Sequence, residues 1–163
     1  MDHMWAGWRS RYVRSADEMN EAGCLFCRLP VEDDATALIL ERGAAAYSVL
    51  NRFPYSTGHL MVTQYRHAAD LGDLTAAEAE EVWRLLARAR RAFGNALKPD
   101  GFNLGANLGR IAGAGIPDHL HFHLVPRWAG DTSFMTTVGE TRVIPEDLGV
   151  TWGLLRDALA GLD

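Results

Sequence analysis

His119-Leu120-His121-Phe122-His123-Leu124-Val125 sets three histidines at alternate positions with apolar residues between them. Strand side chains point to opposite faces with a period of two. The stretch therefore reads as a strand. Leu120, Phe122 and Leu124 face a core, and His119, His121 and His123 project together from the other face, successive ones about 7 Å apart. Half of the chain's 6 histidines fall here. One such histidine would be an ordinary surface or core residue, but three on one face call for chemistry. They fit metal binding through neutral imidazole, or a nucleophile with a neighbouring proton donor. The residues just upstream, Gly113-Ala114-Gly115-Ile116, favour the second. Backbone amides unobstructed by Cβ atoms form an anion nest. Phosphoryl transfer needs such fixed donors where charge sits on the equatorial oxygens.

Working upstream, Thr75 with Glu78 is a capping box, followed by Ala79, Val82, Leu86, Ala89 and Phe93 at helical spacing. The spacing predicts a long helix over about 75–97, stopped by Pro99-Asp100-Gly101. Its charges read as a solvated face. Two apolar runs, Ala37 to Leu40 and Ala45 to Leu50, flank Arg42-Gly43 and read as a hairpin. A turn-rich loop over Asn51 to Gly58 leads into a further strand, His59 to Thr63, closed by Arg66-His67. Downstream of the helix, Phe102 to Leu108 reads as a strand, Asp131 to Val143 as irregular chain, and about Pro145 to Leu162 as a final helix carrying Leu148, Trp152, Leu155 and Leu159. An N-terminal stretch interleaves Trp5, Trp8 and Tyr12 with Arg9, Arg11 and Arg14. It reads as an arm anchored by its aromatics, or as one lending arginines to an anionic ligand.

The chain has 163 residues, 48% hydrophobic and 23% charged, and is expected to form a single domain. That composition excludes a disordered chain and a disulfide-stapled miniprotein. No apolar run is long enough to span a bilayer, and no signal peptide is visible, so a cytoplasmic protein without membrane association is expected. The net charge of −5 argues against nucleic acid as a partner. The only cysteines, Cys24 and Cys27, are spaced as a metal knuckle, a redox pair or two small buried hydrophobes. Zinc would need further ligands, and the candidates are His3, His59, His67 and the three clustered histidines.

The run from His119 to Val125 resembles the signature of the histidine-triad (HIT) family of nucleotide hydrolases and transferases, His-φ-His-φ-His-φ-φ with φ apolar, and matches it completely. The resemblance extends to Asn51 before its aromatic-proline loop, the strand at His59 and the long helix, over roughly residues 24–128. The stretches Asn107 to His119 and Trp128 to Val143 look like a bacterial branch that includes diadenosine-tetraphosphate phosphorylases and adenylyltransferase-like proteins. The resemblance implies an α+β fold, with an antiparallel sheet of about five strands, one long helix and a C-terminal helix. The domain would span 1–163, with an arm at 1–23 and an extension at 129–163. It also implies a homodimer, and cleavage at the α-phosphate of adenine dinucleotides or similar nucleotides through a nucleotidyl-histidine intermediate, discharged by phosphate or by water; a nucleoside phosphoramidase and a non-catalytic nucleotide-binding or signalling protein are the alternatives. His121 would be the nucleophile and His123 would contact phosphate or the leaving group. His119 is the remaining catalytic candidate of the triad. Asn51 would bind ribose, His59 would support the triad strand, and Asn107 with the amides of Gly113, Gly115 and Ile116 would hold the phosphate. Many relatives carry Gln or Ser where Gly115 and Ile116 stand, so a side-chain donor to the leaving group is missing here. Some bacterial members bind a structural zinc ion through positions that correspond to Cys24, Cys27, His67 and His119.

Overall fold

The computed structural model describes residues 23–131 and 147–162. The aromatic arm and the segment 132–146 lie outside the described residues. A short helix α1 (Leu25–Arg28) and a second, α2 (Asp34–Ala37), lead into strands β1 (Ile39–Arg42), β2 (Ala46–Leu50) and β3 (Leu60–Gln64). The long helix α3 (Ala76–Leu97) follows, then β4 (Gly101–Ala106), β5 (His121–Arg127) and α4 (Leu148–Ala160). The strands form one five-stranded antiparallel sheet in the order β1-β2-β3-β5-β4. This is the expected α+β architecture.

Each element follows from its residues. Thr75 Oγ1 accepts from the Glu78 amide while Glu78 returns a bond to the Thr75 amide, so the capping box starts α3 as predicted. Val82, Leu85, Leu86, Ala89, Ala92 and Phe93 form the buried stripe of that helix. β2 and β3 are buried along their whole length, which suits central strands covered on both sides. α3 lies across β2, β3 and β5, and α4 packs beside it against β1.

Gly58 fixes how the sheet meets these helices. It takes φ +76°, and an added Cβ would stand 2.7 Å from Leu97 Cδ1 and 3.4 Å from Pro126 Cγ. Pro126 therefore points to the helical layer. By alternation Leu124 and Phe122 do too, and His123 and His121 face away. Gly58→Ala should destabilise the fold by more than about 1 kcal/mol, because the left-handed conformation and the contact both penalise a side chain. Gly94 has nothing within 4 Å of its added Cβ, so Gly94→Ala should stabilise α3 by roughly 0.5–1 kcal/mol. Urea midpoints of the two variants moving in the same direction would contradict this reading.

Three details differ from expectation. β5 begins at His121, so His119 and Leu120 precede the strand rather than belong to it. The ladder with β3 ends at Thr63 opposite His121, and beyond it the Leu120 amide bonds the Ala68 carbonyl at 2.7 Å. The charges of α3 are not simply a solvated face. Glu78 is 7% exposed and is paired with Arg66 at 2.7 Å, and Glu81 accepts from the amides of Ala45 and Ala46. Arg66 and the Thr75 amide hold the Glu78 carboxyl down to about 2. The last helix is shorter than expected. Asp147 caps it through the Gly149 amide, and Pro145 and Glu146 lie outside the described residues.

Candidate active site

His121 opens β5 and is 4% exposed. Its Nδ1 is 2.8 Å from the His119 carbonyl oxygen. A carbonyl can only accept, so Nδ1 carries the proton and the lone pair sits on Nε2. Burial pushes His121 below the ordinary imidazole value, and the bond to His119 works against that shift. A buried imidazole held in one tautomer, with a bare Nε2, is a nucleophile ready without prior deprotonation.

His123 packs edge-on against it, with ring centroids 5.0 Å apart. A chain of hydrogen bonds fixes this ring as well. The Tyr55 amide donates to His59 Nδ1 at 3.1 Å, so His59 carries its proton on Nε2. His59 Nε2 is 2.9 Å from His123 Nδ1, which must then accept. The His123 proton is left on Nε2, a buried atom with no partner among the described residues. Burial first, and His121 second, lower His123 to about 4. The ring is therefore neutral at physiological pH and presents an N–H to whatever binds beside His121. Tyr55 covers the pair, its ring 4.5 Å from His59 and 6.1 Å from His123.

This depression predicts a pH dependence. The fold favours neutral His123, so the associated stability is present above the unfolded value near 6.5 and is lost as pH falls toward about 4. Ring signals of His123 should stay flat in an NMR titration from pH 8 to about 5 and reach their midpoint near 4. A midpoint at 6.5 or higher would contradict the burial argument.

His119 has turned elsewhere. It is fully buried, and its Nε2 lies 2.9 Å from the Gln64 carbonyl oxygen. That bond places its lone pair on Nδ1, which faces Cys24 Sγ at 3.2 Å and Cys27 Sγ at 3.6 Å. Cys27 Sγ is also 3.5 Å from His67 Nδ1. All four ligand atoms lie within 4.8 Å of one another. Zinc bonds of about 2.3 Å to sulfur and 2.0–2.1 Å to nitrogen give tetrahedral S···N edges of about 3.5 Å. The observed spacings fit such an ion. Two thiols with two imidazoles are also a donor set that zinc prefers.

The proposed ligand-binding residues are placed less uniformly. Asn51 follows β2 with its backbone amide bonded to the His59 carbonyl, and its Oδ1 accepts from the Phe53 amide at 2.9 Å. That bond leaves its NH2 group to donate to a ligand. Asn107 Nδ2 reaches the Gly113 carbonyl at 3.5 Å. In the glycine-rich loop the left-handed residues are Gly109 and Gly113, at φ 82° and 99°. The Gly113 and Ala114 amides bond to Arg110 and Gly109 carbonyls within the loop itself. The amides of Gly115 and Ile116 have no backbone partner among the described residues. The nest predicted over Gly113 to Ile116 thus narrows to its second half. Three contributors went unnoticed in the sequence: Phe26 against the His121 ring, Gln64 orienting His119, and Tyr55 orienting His59. The orienting bonds of Gln64 and Tyr55 are made by backbone groups, which leave no mark on residue identity.

Known proteins resemble this chain in sequence and in fold. A family model described as HIT domain matches residues 33–130. The chain is 38% identical over 161 residues to an AP-4-A phosphorylase of Mycobacterium tuberculosis, which covers 95% of this chain and 83% of that protein. It is 32% identical over 104 residues to an adenosine 5'-monophosphoramidase of Schizosaccharomyces pombe, which covers 64% of this chain and 74% of that one. Among solved structures, a Zn-bound histidine triad family protein from Mycobacterium smegmatis superposes with a TM-score of 0.71 at 28% identity, covering 87% of this chain and 96% of that one.

Proposed function

The chain belongs to the HIT domain family, and from that premise we propose that it cleaves dinucleoside polyphosphates such as diadenosine tetraphosphate at the α-phosphate and passes the nucleotidyl group to inorganic phosphate. The observation that carries the reading is the bond from His121 Nδ1 to the His119 carbonyl, which leaves Nε2 as a fixed lone pair. Nε2 attacks the α-phosphorus. The bond from phosphorus to the bridging oxygen breaks, and ATP departs as an anion. The His121 Nδ1–H, still bonded to the His119 carbonyl, shares the positive charge of the nucleotidyl-imidazole. His123 Nε2–H donates a hydrogen bond to the departing oxygen or to the α-phosphate. That donor suits a chain with Gly115 and Ile116 where many relatives place a donor side chain. Asn51 offers its NH2 group to ribose, and the Gly115 and Ile116 amides offer donors to phosphate. A phosphate oxygen then attacks the same phosphorus, breaks the P–N bond and yields ADP.

Phosphate as the acceptor is supported by the similarity to an AP-4-A phosphorylase over nearly the whole chain. A second reading, hydrolysis of a phosphoramidate P–N bond by the same nucleophile, is favoured by the similarity to an adenosine 5'-monophosphoramidase. Cys24, Cys27, His67 and His119 would hold a structural zinc ion. When bound it would supply a cross-link, since four protein ligands leave no position for water or substrate.

Product analysis separates these outcomes. Diadenosine tetraphosphate should give ADP and ATP only when phosphate is present. AMP and ATP irrespective of phosphate would make the protein a hydrolase. Turnover of adenosine 5'-phosphoramidate with the dinucleotide left intact would favour the second reading.

A further inference from the structure

Phe26 stands between the two cysteines on a helix of four residues and is 1% exposed. Its ring centroid lies 4.8 Å from that of His121 and 5.4 Å from that of His119. Its carbonyl accepts from the buried Tyr47 hydroxyl at 2.7 Å. Among the described residues the nucleophile has two direct supports besides its ring partner His123: the His119 carbonyl on Nδ1 and the Phe26 ring packed against it. Both supports adjoin the thiol-imidazole cluster. His119 supplies Nδ1 to it, and Phe26 is flanked by Cys24 and Cys27. A four-residue helix has no stability of its own. Its position must come from burial of Phe26, from the Tyr47 bond and from whatever joins its thiols to His67 and His119.

We infer that Phe26 is a positioning residue for the His121 nucleophile, and that an ion held by Cys24, Cys27, His67 and His119 orients His121 through Phe26 and the His119 carbonyl. This rests on His121 being the nucleophile, as proposed above. The ion takes no part in the chemistry. It ties α1 to the two chain segments that leave the β3–β5 ladder at the end where Thr63 faces His121, and so holds an aromatic ring where it blocks rotation of His121 away from the α-phosphorus. An aromatic edge or face against an imidazole is a directional contact that an aliphatic side chain of similar bulk does not reproduce.

The test uses the metal-loaded full chain with its histidine rings labelled with nitrogen-15. In the loaded protein the His121 ring nitrogens should show the single Nδ1–H tautomer. After chelation of the ion, with the fold verified by circular dichroism, the same signals should move toward tautomeric averaging. Phe26→Leu should keep its full complement of metal and show the same averaging. Its kcat should fall about tenfold or more, as expected for a small misplacement of a reacting atom, with KM changed by less than about twofold. A merely structural role for Phe26 would lower the melting temperature without this split or the ring signals. Should Phe26→Leu not fold, Phe26→Met takes its place; should chelation unfold the chain, the variant decides alone. Wild-type kcat and a single tautomer in a metal-loaded variant would overturn the inference, as would unchanged His121 signals after chelation of a folded chain. His121→Ala is the control that separates the two claims. If it keeps turnover, the proposed function fails, and the ring spectra still decide whether Phe26 and the ion hold His121. If it is inactive while Phe26→Leu is unaffected, only the positioning role fails.

Discussion

His121→Ala is expected to lose turnover by several orders of magnitude while nucleotide binding survives. The substitution removes the attacking atom, and with it the two-step route that splits one difficult displacement into two easier ones. Among the described residues, neither neighbouring triad histidine can take its place. His123 offers an N–H on Nε2, because His59 occupies its Nδ1, and His119 has its lone pair turned to the thiols. Binding should persist because the groups proposed to hold the nucleotide, Asn51 and the Gly115–Ile116 amides, sit on other loops. Imidazole added to His121→Gly should restore part of the rate. An alanine variant that keeps more than about a tenth of the wild-type rate, a loss of barely 1.4 kcal/mol of barrier stabilisation, would remove His121 from the role.

The second large effect concerns Cys24. Untagged protein should contain close to one zinc per chain, and Cys24→Ser should release it and lower the melting temperature. The cluster joins positions 95 residues apart in sequence, Cys24 and His119, and pins a helix too short to hold itself. Loss of about 2 kcal/mol or more is expected, which for a chain of this size is a drop of roughly 4–8 °C. Wild-type protein that lacks metal and melts no lower than metal-soaked protein would defeat the assignment of these residues to an ion.

Local signals carried much of this structure. Thr75 and Glu78 marked the start of α3, and its apolar spacing gave a helix that ends at Leu97. Alternation marked β5 and put His121 and His123 on one face. The departures share a cause, namely partners that are distant along the chain. His119 leaves the strand because Gln64 and the thiols, on other segments, compete for its ring. Alternation alone cannot register that competition. Glu81 looked solvated because Ala45 and Ala46, whose amides it accepts from, are 36 and 35 residues away. Phe26 carried no distinguishing pattern within Cys24-Leu25-Phe26-Cys27, and its meaning comes only from a ring packed against it across the fold. Glycine spacing suggests a nest over Gly113 to Ile116, but which of its amides remain open depends on internal bonds to Gly109 and Arg110 that no local pattern registers. The roles of Asn51 and Asn107 follow from family resemblance rather than from any local rule.

With His121 as the proposed nucleophile, its Nε2 becomes covalently bonded to the α-phosphorus during turnover. The direct measurement is a single turnover of diadenosine tetraphosphate without phosphate, quenched in alkali to preserve a P–N bond and followed by peptide mass spectrometry. One adenylyl group is expected on the peptide that contains His121, lost when phosphate is added before the quench and absent in His121→Ala. Turnover at the normal rate with no adduct on any histidine, or an adduct confined to His119 or His123, would contradict it.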